Sequence, residues 1–257
     1  MNGAGAHDIE SIIASLRKRA LTVVLMTDVS GSVKGERLDA VNAAMRNAVS
    51  RLRDVWNDGA SAEIHVAVME FASSAVWRTP VPVPVSDFRY EDIARTGGGT
   101  NYSNAFKALG EKLSDGAFTD PEAGSCDPVL ILLTDGKPSD PFIYGDELDR
   151  LRECAWFLRA LKAGVAIGEG ASSEECLRAL TEFTGDKRAV YPTDIRGLIA
   201  RVERIVLKLM DLSAKRPPAV ITPPVDTRPA NPSDWDDPEI PGFEDIDWER
   251  DFPPFEG

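Results

Sequence analysis

The sequence predicts an α/β protein with a doubly wound, mostly parallel central sheet and helices on both faces. Two observations carry that expectation. Apolar runs of strand length alternate with segments whose apolar residues recur every three or four positions, the pattern of strand–helix–strand units. The runs Leu21–Thr27 and Val129–Thr134 are also apolar almost without interruption, as suits parallel strands covered on both faces. Right-handed crossovers between such strands place helices on both sides of one sheet.

Residues 8–20 read as an amphipathic helix, with Asp8 at its N-cap and Ile9, Ile12, Ile13 and Leu16 on one face. The strand Leu21–Thr27 stops at Asp28-Val29-Ser30-Gly31-Ser32, and a helix follows with Leu38, Val41, Met45, Ala48, Leu52 and Val55 in one stripe. A second strand spans Glu63–Ala72. Pro80, Pro82 and Pro84 cannot complete a ladder of N–H donors, so that stretch belongs at a sheet edge or in a loop. Three glycines, Gly97 to Gly99, lead through Thr100 into a helix with Tyr102, Phe106, Leu109 and Leu113 on one side. After the strand Val129–Thr134, the pattern predicts a helix over 146–162, a short strand Val165–Ile167, a helix over 173–183, a strand Arg188–Tyr191 and a last helix through Ile195, Leu198, Val202, Ile205 and Leu209. The chain thus divides into an N-terminal amphipathic helix (1–20), an α/β domain (21–212) and a tail (213–257).

The tail is set apart by composition. Residues 211–257 hold ten of the eighteen prolines, and twelve Asp and Glu against four Lys and Arg, or −8 of the total −13. Such a segment is expected to be extended. Trp235, Phe243, Ile246, Trp248, Phe252 and Phe255 are spaced through it, which leaves two readings open: apolar anchors for docking onto a surface, or a plain solvated tail.

A net charge of −13 argues against nucleic acid as a partner, which requires a basic face. The N-terminus lacks the basic and apolar regions of a secretory leader, no apolar run is long enough to cross a bilayer, and no membrane role is expected. Cys126, Cys154 and Cys176 lack metal-ligand spacing and read as reduced thiols of a cytoplasmic protein. With only His7 and His65, a multi-histidine metal site is excluded, and His65 reads as a strand histidine with a local hydrogen bond.

Three separated segments carry the chemistry: Asp28-x-Ser30-x-Ser32, Thr100 after the glycines, and Asp135 in Leu133-Thr134-Asp135-Gly136. Asp28 and Asp135 each end an apolar strand, and open α/β sheets bind ligands beyond those ends, where strand order reverses. Glycines before Thr100 allow its loop to approach closely. Two carboxylates and three hydroxyls make an all-oxygen set, which suits a hard cation such as Mg²⁺, with Mn²⁺ also accepted.

These segments, DVSGS, the Thr of GGGTNYSNAF and the Asp of LLTDGKPSD, resemble the metal-ion-dependent adhesion site (MIDAS) of the von Willebrand factor A family, and in detail its bacterial TerY/YegL branch. The resemblance covers roughly residues 18–210. It implies direct metal contacts from Ser30, Ser32 and, in the ligand-competent state, Thr100. Asp28 would act mainly through water, and Asp135 through water or directly. A partner's Asp or Glu would fill the remaining position. The branch also implies an adaptor in stress, tellurium-resistance or phospho-signalling systems, with a protein kinase or a PPM-type phosphatase as partner.

Two other readings compete with a non-enzymatic metal-dependent adaptor. Asp28 at the end of a first strand is similar to the nucleophile of haloacid dehalogenase-like phosphohydrolases, but Ser30 stands where their acid/base Asp belongs. Alternatively, the chain is a scaffold that acts through its acidic tail and uses no metal. Gly168-Glu169-Gly170 is only a partial nucleotide fingerprint and reads as a strand-to-helix turn.

Overall fold

The computed structural model describes residues 19–116, 118–119, 124–168 and 173–217. Its centre is a seven-stranded sheet in the order β3-β2-β1-β5-β6-β7, with β4 paired to β2 outside that path. The strands are β1 (Arg19–Asp28), β2 (Ala62–Phe71), β3 (Ala75–Trp77), β4 (Val83–Pro84), β5 (Val129–Thr134), β6 (Leu161–Ile167) and β7 (Val190–Thr193). The helices are α1 (Glu36–Asn57), α2 (Tyr102–Ser114), α3 (Tyr144–Arg152), α4 (Ala155–Arg159), α5 (Glu174–Thr184) and α6 (Leu198–Lys215). β1, β2, β5, β6 and β7 pair in parallel, while β3 and β4 run antiparallel to β2. The expected α/β architecture is therefore present.

Side-chain alternation along β1 divides the core in two. Leu21, Val23 and Leu25 pack with Val41, Met45 and Leu52 of α1 and Val202, Ile205 and Leu209 of α6. Val24 and Met26 point the other way, onto Tyr102, Phe106 and Leu109 of α2, with Leu148 of α3 and Phe183 of α5 in the same cluster. Both faces of the sheet are thus covered, which is why β1 and β5 carry apolar residues at nearly every position.

Several boundaries differ from expectation, each for a local reason. The helix expected over 8–20 falls on residues outside the description as far as 18, and Arg19 and Ala20 open β1, paired with Ala62 and Glu63. The single helix expected over 146–162 is two helices broken at Glu153 and Cys154, and Leu161 and Lys162 belong to β6 opposite Val129 and Leu130. Sheet pairing outweighs the helical period there. The last strand follows a 3₁₀ turn, Lys187–Ala189, and begins at Val190. Ile195 precedes the last helix, because the Asp194 carboxylate accepts from Gly197 N at 2.7 Å and closes a turn. That helix continues to Lys215, two residues past the expected start of the tail; residues 218–257 lie outside the description. The proline stretch does lie at an edge, through β4, whereas β3 was not expected. His65 stands in β2, but its Nδ1 has no hydrogen-bond partner. In the sheet it lies between Thr22 of β1 and Pro84 of β4. None of the three cysteines forms a disulfide.

Lys162 is buried at the second position of β6. Its ammonium donates to Phe157 O at 2.8 Å and lies 4.4 Å from the centre of the Phe157 ring. Burial, with smaller contributions from Arg152 and Arg216, pulls its pKa down to about 7. The folded state therefore binds this proton more weakly than the unfolded chain. The unfolded state holds more protons between about pH 7 and the ordinary lysine value, so stability rises with pH across that window and is flat below it. Lys162→Met, which fills similar space without the charge, is expected to raise the melting temperature near pH 7 by about 3–6 °C, for roughly 1–2 kcal/mol. The gain should shrink as pH approaches 10; a gain independent of pH would assign the titration to another group.

Candidate metal site

Strand order reverses between β1 and β5. From β1 the chain moves outward to β2, then returns to place β5 on β1's other side. The C-terminal ends of these two neighbours carry Asp28 and Asp135, both buried. The expected crevice therefore exists, and both carboxylates face it from adjacent strands.

Asp28 is held from two sides. Its Oδ1 accepts from Ser30 N at 2.8 Å, and its Oδ2 accepts from the Thr134 hydroxyl at 2.6 Å. Burial pushes its pKa above the ordinary value, the hydrogen bonds from Thr134 and Ser30 oppose that, and the negative charge of Asp135 adds to it. A buried carboxylate beside a second one is a place where a cation relieves unfavourable charge.

The serines link the two carboxylates. Ser30 Oγ and Ser32 Oγ are 3.0 Å apart, and Ser32 Oγ donates to Asp135 Oδ1 at 2.7 Å. Ser30 is buried and Ser32 is exposed, so this row of oxygens runs from the interior to the mouth.

Thr100 reaches the same place through its glycine loop. Gly97 N donates to Val29 O at 2.9 Å, and Gly31 N donates to Gly98 O at 3.0 Å, which zips that loop to the Asp28–Ser32 loop. Glycine also suits the packing of this loop against Ser73 and Ser139. Gly98 has φ +81°, and a Cβ built on it would lie 2.5 Å from Ser73 Oγ; one on Gly99 would lie 2.7 Å from Ser139 Oγ. Ser139 N then donates to Thr100 O at 2.8 Å, tying in the loop after Asp135. Thr100 Oγ1 and Ser32 Oγ both face Gly136, at 3.3 and 4.0 Å from a Cβ built there. All five expected residues thus gather at one crevice.

Three further residues shape the site without having been anticipated. Asp140 caps α2, its carboxylate accepting from Tyr102 N at 3.1 Å and Ser103 N at 2.7 Å, which fixes the helix that begins just after Thr100. Asn42, buried in α1, bonds both Ile93 N (2.8 Å) and Ile93 O (3.1 Å) and holds the loop leading to the glycines. Arg37, in the first turn of α1, ion-pairs with Asp135 Oδ2. A cation in a helix's first turn opposes the helix dipole, and that conflict was the available signal for a nearby anion.

Cys176 lies behind the carboxylates. Burial, then the charges of Asp28 and Asp135, push its pKa up to about 12, so it remains a thiol. Among the described residues no group of three or more His, Cys, Asp and Glu side chains is placed to hold a metal. The set at the crevice is of another kind, with two carboxylates and three hydroxyls.

The von Willebrand factor type A domain pattern matches residues 22–200. The chain belongs to the von Willebrand factor type A family. Known structures agree at the level of fold. The von Willebrand factor domain of the type V pili tip protein Mfa5 from Porphyromonas gingivalis has a TM-score of 0.59 at 10% identity, covering 80% of this chain and 99% of that one. A von Willebrand factor type A protein from Catenulispora acidiphila has a TM-score of 0.53 at 17% identity, over 76% of this chain and 43% of that one. Proximal thread matrix protein 1 from the mussel byssus, in a structure with a zinc-occupied MIDAS motif, has a TM-score of 0.53 at 17% identity, over 74% of this chain and 47% of that one. The chain spans less than half the length of the last two proteins. None of the curated proteins matches it. In this von Willebrand factor A domain no helix among the described residues is long and apolar enough to cross a membrane.

Proposed function

We propose that this chain is a divalent-cation-dependent protein-binding module of the TerY-like type, acting in the cytoplasm as an adaptor and not as an enzyme. The observation that carries the reading is the row of oxygens from Asp28 through Ser30 and Ser32 to Asp135, joined by Thr100, at the point where strand order reverses. Its donor chemistry fits Mg²⁺ or Mn²⁺, because every group is a hard oxygen. Ser30, Ser32 and Thr100 would hold the ion directly, with Asp28 acting mainly through water and Asp135 through water or directly. When bound, the ion supplies a Lewis-acidic position for a carboxylate from outside.

The chain's own groups prepare that position. Hydrogen bonds from Thr134 and Ser30 N restrain Asp28, and Ser32 restrains Asp135, so both carboxylates are already oriented. Neutral hydroxyls as direct contacts leave the ion more electrophilic than carboxylates would, which favours an added Asp or Glu. Phe142 and Ile143, 95% and 57% exposed, follow on the segment after Asp135 and offer a partner an apolar contact. A protein kinase or PPM-type phosphatase presenting an acidic residue is the partner class we favour. Against the phosphohydrolase reading, Ser30 occupies the acid/base position and its hydroxyl is engaged with Ser32.

The test is a calorimetric titration of the full chain with Mg²⁺ and Mn²⁺, beside Thr100→Ala. Thr100→Ala is expected to weaken binding at least about tenfold with an unchanged melting temperature. Capture of a partner on wild type in Mg²⁺, lost in EDTA and with Thr100→Ala, would complete the case. No ion binding by wild type, or capture indifferent to EDTA and to Thr100→Ala, would overturn it.

A further inference from the structure

Arg37 is seated in the crevice by three contacts. Its Nη1 donates to Asp135 Oδ2 and, at 3.2 Å, to Ser32 O. Its guanidinium also lies against Gly168 at the end of β6, where a built Cβ would come 3.2 Å from Nη2, 3.3 Å from Nε and 3.4 Å from Cζ. Gly168, at φ +79°, therefore leaves the guanidinium plane close room without displacing it. Asp135 is consequently occupied on both oxygens from within the chain. Oδ1 accepts from Ser32 and Oδ2 from Arg37, and its side chain is 0% exposed.

We propose that Arg37 is the resident counter-cation of Asp135 and sets the cation affinity of the site, so that a divalent ion binds in competition with the Arg37–Asp135 pair. This rests on the metal-binding reading above. The two carboxylates alone would present two negative charges to an ion. Arg37 cancels one of them and places a like charge beside the entering cation. It is also anchored outside the five oxygen donors, on Ser32 O and Gly168, which keeps it in place as a fixed part of the wall. Nε is buried without a hydrogen-bond partner, an unfavourable arrangement that the ion pair with Asp135 offsets.

Binding of Mn²⁺ to the full-length protein, read from the electron paramagnetic resonance signal of free Mn²⁺, tests this with wild type, Arg37→Gln, Arg37→Lys and Ser30→Ala. Arg37→Gln removes the charge and is expected to bind Mn²⁺ about tenfold tighter. Arg37→Lys retains the charge and should bind within about threefold of wild type. The tenfold difference should narrow as salt is added. Ser30→Ala should abolish or sharply weaken binding, which ties the signal to this crevice. If Ser30→Ala loses binding while Arg37→Gln binds no tighter than wild type, the inference is overturned and the metal site stands. Arg37→Lys binding as tightly as Arg37→Gln would also overturn it, since shape and not charge would then matter. If neither wild type nor Arg37→Gln binds Mn²⁺, the metal reading fails and the inference with it. Melting curves of each variant separate a misfolded chain from a folded one, and Arg37→Lys carries the charge test should Arg37→Gln not fold.

Discussion

Asp28→Asn is expected to abolish divalent-cation binding while leaving the melting temperature equal to that of wild type or higher. The two effects come from one fact: Asp28 is a buried carboxylate whose pKa is raised by burial and by Asp135. Its charge is unfavourable to the empty fold and useful only to an ion. The substitution preserves the local hydrogen bonds. Asn can turn its oxygen to Ser30 N and its amide to Thr134, whose hydroxyl then gives its proton to Gly136 O, 3.3 Å away. Removing the charge leaves Asp135, already paired with Arg37, as the remaining carboxylate of the set. Calorimetric titration with Mn²⁺ and a thermal melt at neutral pH check the prediction together. A large fall in melting temperature would mean that the carboxylate is a structural linchpin between β1 and β5. Retained ion binding would remove Asp28 from the site.

The separation of what the sequence revealed from what it concealed follows from which interactions are local. β1 and β5 are legible because burial on both faces forces an apolar residue at almost every position, and the carboxylate that ends each run then stands out. The Gly97–Thr100 loop is legible for a related reason, since Gly98 and Gly99 pack closely against the Ser73 and Ser139 side chains and leave little space for side chains of their own. The start of β6 is not legible. Leu161 and Lys162 continue the apolar and polar rhythm of the preceding helices, and only pairing with Val129 and Leu130 makes them strand. A buried lysine at the start of a strand looks, in sequence, like the polar side of a helix. β3 has three residues, too few for a period of two to show. Arg37's place in a first helical turn hints at a nearby anion, but which anion is concealed because its partner Asp135 is 98 residues away.

Phe106→Ala is expected to destabilise the protein by about 3–5 kcal/mol, lowering the melting temperature by roughly 8–15 °C, with Mn²⁺ affinity unchanged well below that temperature. Phe106 is fully buried in α2. It stacks on Phe183 with centroids 5.5 Å apart and planes 8° from parallel, and it meets Tyr102 at 5.7 Å and Tyr144 edge-on at 6.3 Å. One side chain therefore joins α2, α3 and α5 on this face of the sheet, and truncation leaves a cavity among rigid rings that cannot collapse to fill it. The metal residues depend on other contacts. Thr100 is fixed by backbone hydrogen bonds from Gly97, Gly31 and Ser139 and by the Asp140 cap on α2, none of which involves the Phe106 ring. If Mn²⁺ affinity fell together with stability at low temperature, the packing of α2 would be what positions Thr100, and the loop contacts would be secondary. A melting temperature within about 3 °C of wild type would contradict the close packing of the ring cluster itself.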